Sequence, residues 1–149
     1  SFVLGADGGG GKLLELPAGG SRLPASYETI SQRLHFIKMN GRDVFKFAVR
    51  VMEEASLEAI DKAGLTLKDI DLFIPHQANI RIIESAAERL NVPKDKFFVN
   101  LDRYGNTSSA SVGLALYEAF WEGKIQKGSK ILMVGFGAGL TWGACVLEW

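Results

Sequence analysis

The sequence predicts an α/β fold with a mixed sheet and helices on both of its faces. From residue 41 onward, short apolar runs alternate with segments whose apolar residues recur at helical spacing. The last two apolar runs follow each other across a glycine-rich connection, which is typical of an antiparallel strand pair. With 149 residues, the chain has the length of one domain.

Local patterns predict the elements in chain order. Glycine clusters at 8–11 and 19–20 interrupt the opening segment, so we expect residues 1–40 to form a strand, loop and cap region. Residues 41–149 are expected to form the α/β core. Within that core we predict a helix from Asp43 to a stop at Gly64, a strand over 71–75, a helix over 79–90, a strand over 97–101, a helix over 107–122 and strands over 130–134 and 141–147.

The third core helix differs from the other two because residues 108–116 carry no charge on any side. A helix that is small or apolar all round is buried all round. One sheet covers only one side of such a helix, and the chain is too short to supply a second sheet. The sequence therefore predicts that this chain packs against another domain or chain.

Composition argues against several classes of partner. The chain holds 17 Lys and Arg against 17 Asp and Glu, with no basic run to bind a nucleic-acid backbone. No stretch approaches 18 uninterrupted apolar residues, which argues against a membrane span. The single cysteine, Cys145, lies in a predicted buried strand and cannot form an internal disulfide. We therefore expect a cytoplasmic protein without nucleic-acid or membrane partners.

Candidate functional residues follow the predicted strands. Open α/β sheets place functional groups beyond the carboxyl ends of their strands, and the loops at 75–79, 102–108 and 135–139 are rich in polar residues or glycine. His76 and Asn106 are separated by about one strand-helix-strand unit and can aim N–H donors at one oxygen, forming an oxyanion hole. Three plainer alternatives stay open: a histidine bonded to a backbone carbonyl, an asparagine that caps the third helix, and a tight glycine turn.

Three long motifs resemble a known family. They are PHQANIRI at 75–82, NLDRYGNTSSAS at 100–111 and GFGAGLTWG at 135–143. They resemble the carboxyl-terminal half of the β-ketoacyl-acyl-carrier-protein synthase III family, the initiating condensing enzymes of bacterial fatty-acid synthesis. The resemblance implies a thiolase-like half that is completed by a second, similar half not present in this chain.

The resemblance also implies an active site of Cys, His and Asn. His76 and Asn106 match the last two, whereas the nucleophilic Cys belongs to the amino-terminal half. That Cys would receive an acyl group from coenzyme A, and malonyl-acyl-carrier-protein would then lose CO₂ and attack it. The family's pattern assigns support of this site to the β-turn residues Phe136, Gly137, Ala138 and Gly139.

Further roles are implied by the same resemblance. The pantetheine arm of coenzyme A would pass Gly41, Arg42, Phe45, Ala78 and Asn79. Carrier-protein docking would use Lys46 and Arg81, for which ordinary solvated helix charge is the alternative. The expected partners are the Cys-bearing half, acyl-CoA, acyl carrier protein and a second copy in a homodimer, with no cofactor or metal. The competing hypothesis is a non-catalytic acyl-CoA or carrier-protein binding and assembly module.

Overall fold

The fold is described by a computed structural model that covers residues 1–149. The strands are β1 (Phe2–Ala6), β2 (Leu14–Glu15), β3 (Lys38–Met39), β4 (Leu72–Pro75), β5 (Lys130–Gly137) and β6 (Thr141–Glu148). The helices are α1 (Tyr27–Ser31), α2 (Gly41–Lys62), α3 (Ile80–Leu90), α4 (Leu101–Tyr104) and α5 (Ala110–Trp121).

A four-stranded mixed sheet in the order β1-β6-β5-β4 forms the centre of the fold. β4 and β5 are parallel, whereas β6 is antiparallel to both β5 and β1. β2 and β3 form a separate antiparallel ribbon. The predicted mixed sheet and its antiparallel final pair are therefore confirmed.

Helices α2 and α3 cover one face of the sheet. Side chains alternate along each strand, so Phe73 of β4 and Leu132 of β5 point to this face and join the largest apolar cluster. α2 begins at Gly41 and is capped by Asn40, whose Oδ1 accepts the Asp43 N–H, and its last turn is followed by Gly64 at φ +68°. The stop at Gly64 is the one that the sequence pattern predicts, whereas the helix begins at Gly41, two residues before the predicted start at Asp43.

Helix α5 covers part of the opposite face. Its small residues Ala115 and Ala119 are fully buried against Leu72, Ile74 and Ile131 of the adjoining strands. A small-residue surface lets the helix approach the sheet closely. Helices therefore lie on both faces, as the sequence predicts.

The remaining side of α5 and the neighbouring strand surface are open. Tyr117 and Trp121 on α5 are exposed, and Leu4 on β1 is 85% exposed. The helix that was predicted to be buried all round is thus buried on one side within this chain. Its other side is an apolar surface of the kind that proteins usually cover.

The predicted strand over 97–101 is wrong. Only a single bridge joins Phe97 to Phe73, and the chain turns into α4 at Leu101. The buried side-chain amide of Gln77 explains why: it donates to the Phe98 carbonyl at 3.2 Å and accepts the Asn100 N–H at 3.1 Å. A side chain therefore makes the hydrogen bonds that a neighbouring strand would have made.

The longest helices are too polar or too short to cross a bilayer, and none qualifies as a membrane span.

Candidate active site

One cavity of about 1300 Å³ collects almost all of the predicted site residues. Its wall combines the start of α2, the β4–α3 loop, the loop before α5 and the end of β5, with the β2–β3 ribbon along one side. The predicted residues on this wall are Gly41, Arg42, Phe45, Lys46, His76, Ala78, Asn79, Arg81, Asn106, Phe136, Gly137 and Ala138. Gly139 is the one predicted residue that does not line the cavity.

His76 directly follows β4 and is held at both backbone and side chain. Its N–H donates to the Val134 carbonyl at 2.7 Å, which extends the parallel pairing by one residue. Its Nδ1 lies 2.6 Å from the Ser111 hydroxyl, so the ring partner is a side chain and not a backbone carbonyl. Phe136 contacts the imidazole edge-on, with 5.5 Å between ring centroids.

Burial sets the protonation state of His76. Desolvation lowers the pKa of the half-buried imidazole below its ordinary value of 6.5. The ring is therefore neutral at physiological pH. Its Nε2 makes no hydrogen bond within the chain, since Nδ1 is the only ring atom with a partner.

Asn106 lies in the loop between α4 and α5. Its Oδ1 accepts the Ser108 N–H at 2.9 Å, and Ser108 has a left-handed backbone with φ +54°. This bond closes a turn before the helix. The N-cap position of α5 is held by Ser109, three residues after Asn106. The interpretation of Asn106 as the helix cap is therefore wrong. Because Oδ1 is occupied, the free end of the side chain is the Nδ2 donor.

Glu118 of α5 holds the segment that precedes Asn106. It accepts hydrogen bonds from Asn100 Nδ2 at 2.8 Å, from Arg103 Nη2 at 2.6 Å and from the Tyr104 hydroxyl. The bond from Tyr104 is the main cause that lowers the pKa of Glu118, and the same bond raises the pKa of Tyr104. Three donors on and beside α4 are therefore tied to one carboxylate.

The glycine run forms the end of β5 and a connection to β6. Gly137 pairs with Thr141, and the Ala138 carbonyl accepts the Thr141 hydroxyl at 3.0 Å. Gly139 has φ +141°, and a Cβ built there would lie 2.6 Å from the Thr141 side chain. The run is a tight turn, as one alternative held, yet its Phe136–Ala138 portion also lines the cavity.

Unpaired positive charge lies along the cavity wall. The Arg81 guanidinium lies 5.8 Å from the centre of the Phe45 ring, and neither Arg81 nor Arg42 has a carboxylate within salt-bridge distance. Lys46 is paired only loosely with Asp43, at 3.8 Å. Anionic ligands would therefore meet uncompensated cations here, although the chain has no net charge.

Cys145 is poorly suited to be a nucleophile. It lies within β6, and burial raises the pKa of its thiol above the ordinary value of 9.0. A protonated thiol is a weak nucleophile. No group of three or more His, Cys, Asp or Glu side chains is placed to hold a metal ion.

Sequence reasoning missed two buried polar residues at the site, Gln77 and Ser111. Gln77 braces the loop after β4, and Ser111 contacts both His76 and Gln77. Both lie inside the motifs named above, and a polar side chain in a segment that is predicted to be buried is a signal that it needs a hydrogen-bond partner. Nothing local in the sequence identifies that partner, which is 35 residues away.

Comparison with known proteins identifies related sequences. A family model described as 3-oxoacyl-[acyl-carrier-protein (ACP)] synthase III C terminal matches residues 60–149. A β-ketoacyl-[acyl-carrier-protein] synthase III from Symbiobacterium thermophilum is 60% identical over 149 residues, which is 100% of this chain and 45% of that protein. A protein of the same name from Caldanaerobacter subterraneus is 60% identical over 146 residues, covering 98% of this chain and 44% of its own length.

Solved structures agree with these sequence relationships. A synthase III from Thermus thermophilus superposes with a TM-score of 0.89 at 58% identity, over 100% of this chain and 45% of that one. One from Aquifex aeolicus superposes with a TM-score of 0.85 at 45% identity, over 99% of this chain and 43% of that one. The chain therefore spans less than half the length of the relatives that it matches.

Proposed function

Because this chain belongs to the 3-oxoacyl-[acyl-carrier-protein] synthase III C-terminal family, we propose that it supplies the His and Asn half of the active site of such a synthase. The nucleophilic Cys would come from a second, thiolase-like half. The reaction is a decarboxylative Claisen condensation of an acyl-CoA primer with malonyl-acyl-carrier-protein, which initiates fatty-acid synthesis.

In the proposed reaction an acyl group first moves from coenzyme A to the cysteine thiolate. Malonyl-acyl-carrier-protein then loses CO₂, and the electron pair of the broken C–C bond forms a thioester enolate. The enolate carbon attacks the acyl-cysteine carbonyl, which expels the thiolate and leaves a β-ketoacyl product. Negative charge develops on the malonyl thioester oxygen, so donors aimed at that oxygen stabilise the transition state more than the ground state.

The observation that carries this proposal is that His76 and Asn106 line one cavity, each with one polar end of its side chain engaged within the chain and the other end free. His76 offers Nε2, because Nδ1 is engaged by Ser111. Asn106 offers Nδ2, because Oδ1 is engaged by the Ser108 N–H. The backbone N–H of Ala138, on the same wall, is proposed to hold the oxyanion of the acylation step.

A second depression is the proposed site of the Cys from the other half. It has a volume of about 580 Å³ and lies beside the apolar surface that α5 leaves open. His76 and Phe136 line both this depression and the main cavity, whereas Leu4, Val112 and Trp142 line only the depression. A thiolate that enters the depression would reach His76, and the apolar side chains there would shield the acyl-cysteine thioester from water on one side.

The size and the charges of the cavity wall support positions for coenzyme A and for the acyl carrier protein. The main cavity, with a volume of about 1300 Å³, suits a pantetheine arm lying past Phe45, Ala78 and Asn79, with Gly41 at the start of α2. The unpaired charges of Arg42 and Arg81, together with Lys46, suit the phosphates of coenzyme A and the acidic surface of an acyl carrier protein. The complete protein is proposed to be a cytoplasmic homodimer that needs no cofactor.

Alanine variants of the two donors in the complete enzyme test this proposal. His76→Ala or Asn106→Ala should slow malonyl decarboxylation on the order of a hundredfold, the usual effect of losing one oxyanion donor. Acylation of the Cys, followed by the mass of the intact acyl-enzyme, should change far less. His35→Ala is the matched control, since His35 bonds Thr29 in the cap region and does not line the cavity.

Equal damage to acylation and decarboxylation would contradict these roles. The same assay tests the competing hypothesis of a non-catalytic binding and assembly module. Such a module would bind acyl-CoA or carrier protein with all residues intact, yet it would produce no condensation product even beside a Cys-bearing half.

A further inference from the structure

Ser111 lies in the first turn of α5 and joins two neighbouring residues of the β4–α3 loop. Its side chain is 1% exposed. Its Oγ lies 2.6 Å from His76 Nδ1 and accepts the Gln77 backbone N–H at 3.2 Å. The Ser111 hydroxyl has no other hydrogen-bond partner in the chain.

The direction of the bond to His76 follows from counting hydrogens. A serine hydroxyl has one hydrogen to donate and two lone pairs to accept with. The Gln77 N–H fills one lone pair, and the only acceptor within reach of the hydroxyl hydrogen is His76 Nδ1. A buried hydroxyl that donated to nothing would leave its hydrogen unpaired, which is costly. The hydroxyl therefore donates, and Nδ1 accepts.

We propose that Ser111 is a positioning residue that selects the tautomer of His76 with its hydrogen on Nε2, so that a donor faces the cavity. This inference rests on the proposed function, because it specifies how His76 becomes an oxyanion donor. The opposite tautomer would turn a lone pair toward the developing negative charge. No carboxylate or backbone carbonyl bonds the imidazole, so no other partner in the chain selects between the tautomers.

Ser111 is well placed to act on His76 and on nothing else in the cavity. It does not line the cavity wall, so it would not touch the substrate. Its helix is fixed to the sheet through Ala115 one turn later, which is fully buried. The edge of Phe136 against the imidazole further restricts ring rotation.

The test uses Ser111→Ala in the complete enzyme. Malonyl decarboxylation should fall about tenfold or more, which corresponds to part of the effect of one lost donor. Acylation of the Cys should stay near the wild-type rate. Ser111→Thr, which keeps the hydroxyl, should recover most of the lost decarboxylation. Ser56→Ala is the matched control, because Ser56 is equally buried on α2 but its hydroxyl has no partner.

Two further readouts separate tautomer selection from a merely structural role. In a His76→Ala background, adding Ser111→Ala should cause little further loss, since the imidazole is the only cavity-lining side chain to which Ser111 is hydrogen-bonded. Nitrogen-15 NMR of the ring, assigned by the signal lost in His76→Ala, should show the Nε2–H tautomer in the wild type and a mixture in Ser111→Ala.

An unchanged tautomer together with an unchanged decarboxylation rate in Ser111→Ala would overturn the inference. Additive losses in the double variant would also overturn it. Failure of the proposed function has a different signature: His76→Ala itself would then decarboxylate malonyl thioester normally. The NMR comparison would still decide whether Ser111 selects the tautomer in that case.

Discussion

At the scale of single residues, the two proposed catalytic side chains share one design. Each has one polar end engaged by its own chain and the other end left free. Ser111 engages Nδ1 of His76, and the Ser108 N–H engages Oδ1 of Asn106. Because the acceptor ends are the occupied ones, both free ends are N–H donors. A negatively charged oxygen is the ligand that this pair of donors fits best.

The pH dependence of decarboxylation belongs to the same scale. Burial lowers the pKa of His76 below 6.5, so the neutral ring and its Nδ1 acceptor persist to a lower pH than in a free histidine. The acid-side midpoint of the decarboxylation rate should therefore lie below pH 6.5. A pH–rate profile with its acid-side midpoint above 6.5 would contradict this assignment.

The same shift predicts the sign of a stability effect. Between 6.5 and the lower folded-state pKa, the unfolded chain binds a proton at this site more readily than the folded chain does. The histidine's contribution to the free energy of unfolding is therefore complete above pH 6.5. It decreases as pH falls through that interval.

At the scale of elements, α5 positions both donors. Its first turn presents Ser111 to His76, and two turns later Glu118 holds Asn100, Arg103 and Tyr104. Since these three residues precede Asn106, one rigid helix sets the position of both loops relative to each other. Preorganised donors of this kind need no rearrangement when the charge develops.

Glu118→Gln in the complete enzyme tests the role of α5. The variant keeps the size of the side chain but removes the charge that Arg103 and Tyr104 bind, so the Asn106 loop should lose its fixed position. We expect decarboxylation to slow about tenfold, the rate equivalent of one charge-assisted hydrogen bond. Glu122→Gln is the control, since Glu122 contacts Arg103 only at 3.5 Å. Equal rates for the two variants would argue against the role.

The helices and strands differ in how well the sequence predicts them. α2 and α3 were predictable because their apolar residues recur at helical spacing, and β4–β6 because each contains a short apolar run; local stops such as Gly64 mark their ends. The strand over 97–101 was predicted wrongly because its hydrogen bonds go to the side chain of Gln77, a contact between distant residues. The contact from Ser111 to His76 escaped prediction for the same reason.

At the scale of the whole molecule, the open apolar surface and the candidate site adjoin each other. The exposed Leu4 lines the second depression together with His76, and Tyr117 and Trp121 are exposed on α5, whose Val112 lines the same depression. A second half that covers this surface would bury those side chains. The same contact would place its Cys beside His76. The uncharged segment 108–116 allowed the need for such a partner to be predicted, whereas the geometry of the junction required coordinates.

The central claim is that His76 and Asn106 donate to one oxygen of a malonyl thioester. The most direct measurement is a crystal structure of the complete enzyme with a malonyl-thioester analogue that cannot lose CO₂. The account predicts a thioester oxygen roughly 2.7–3.1 Å from both His76 Nε2 and Asn106 Nδ2. A bound analogue whose thioester oxygen meets neither nitrogen, or only one of them, would contradict it.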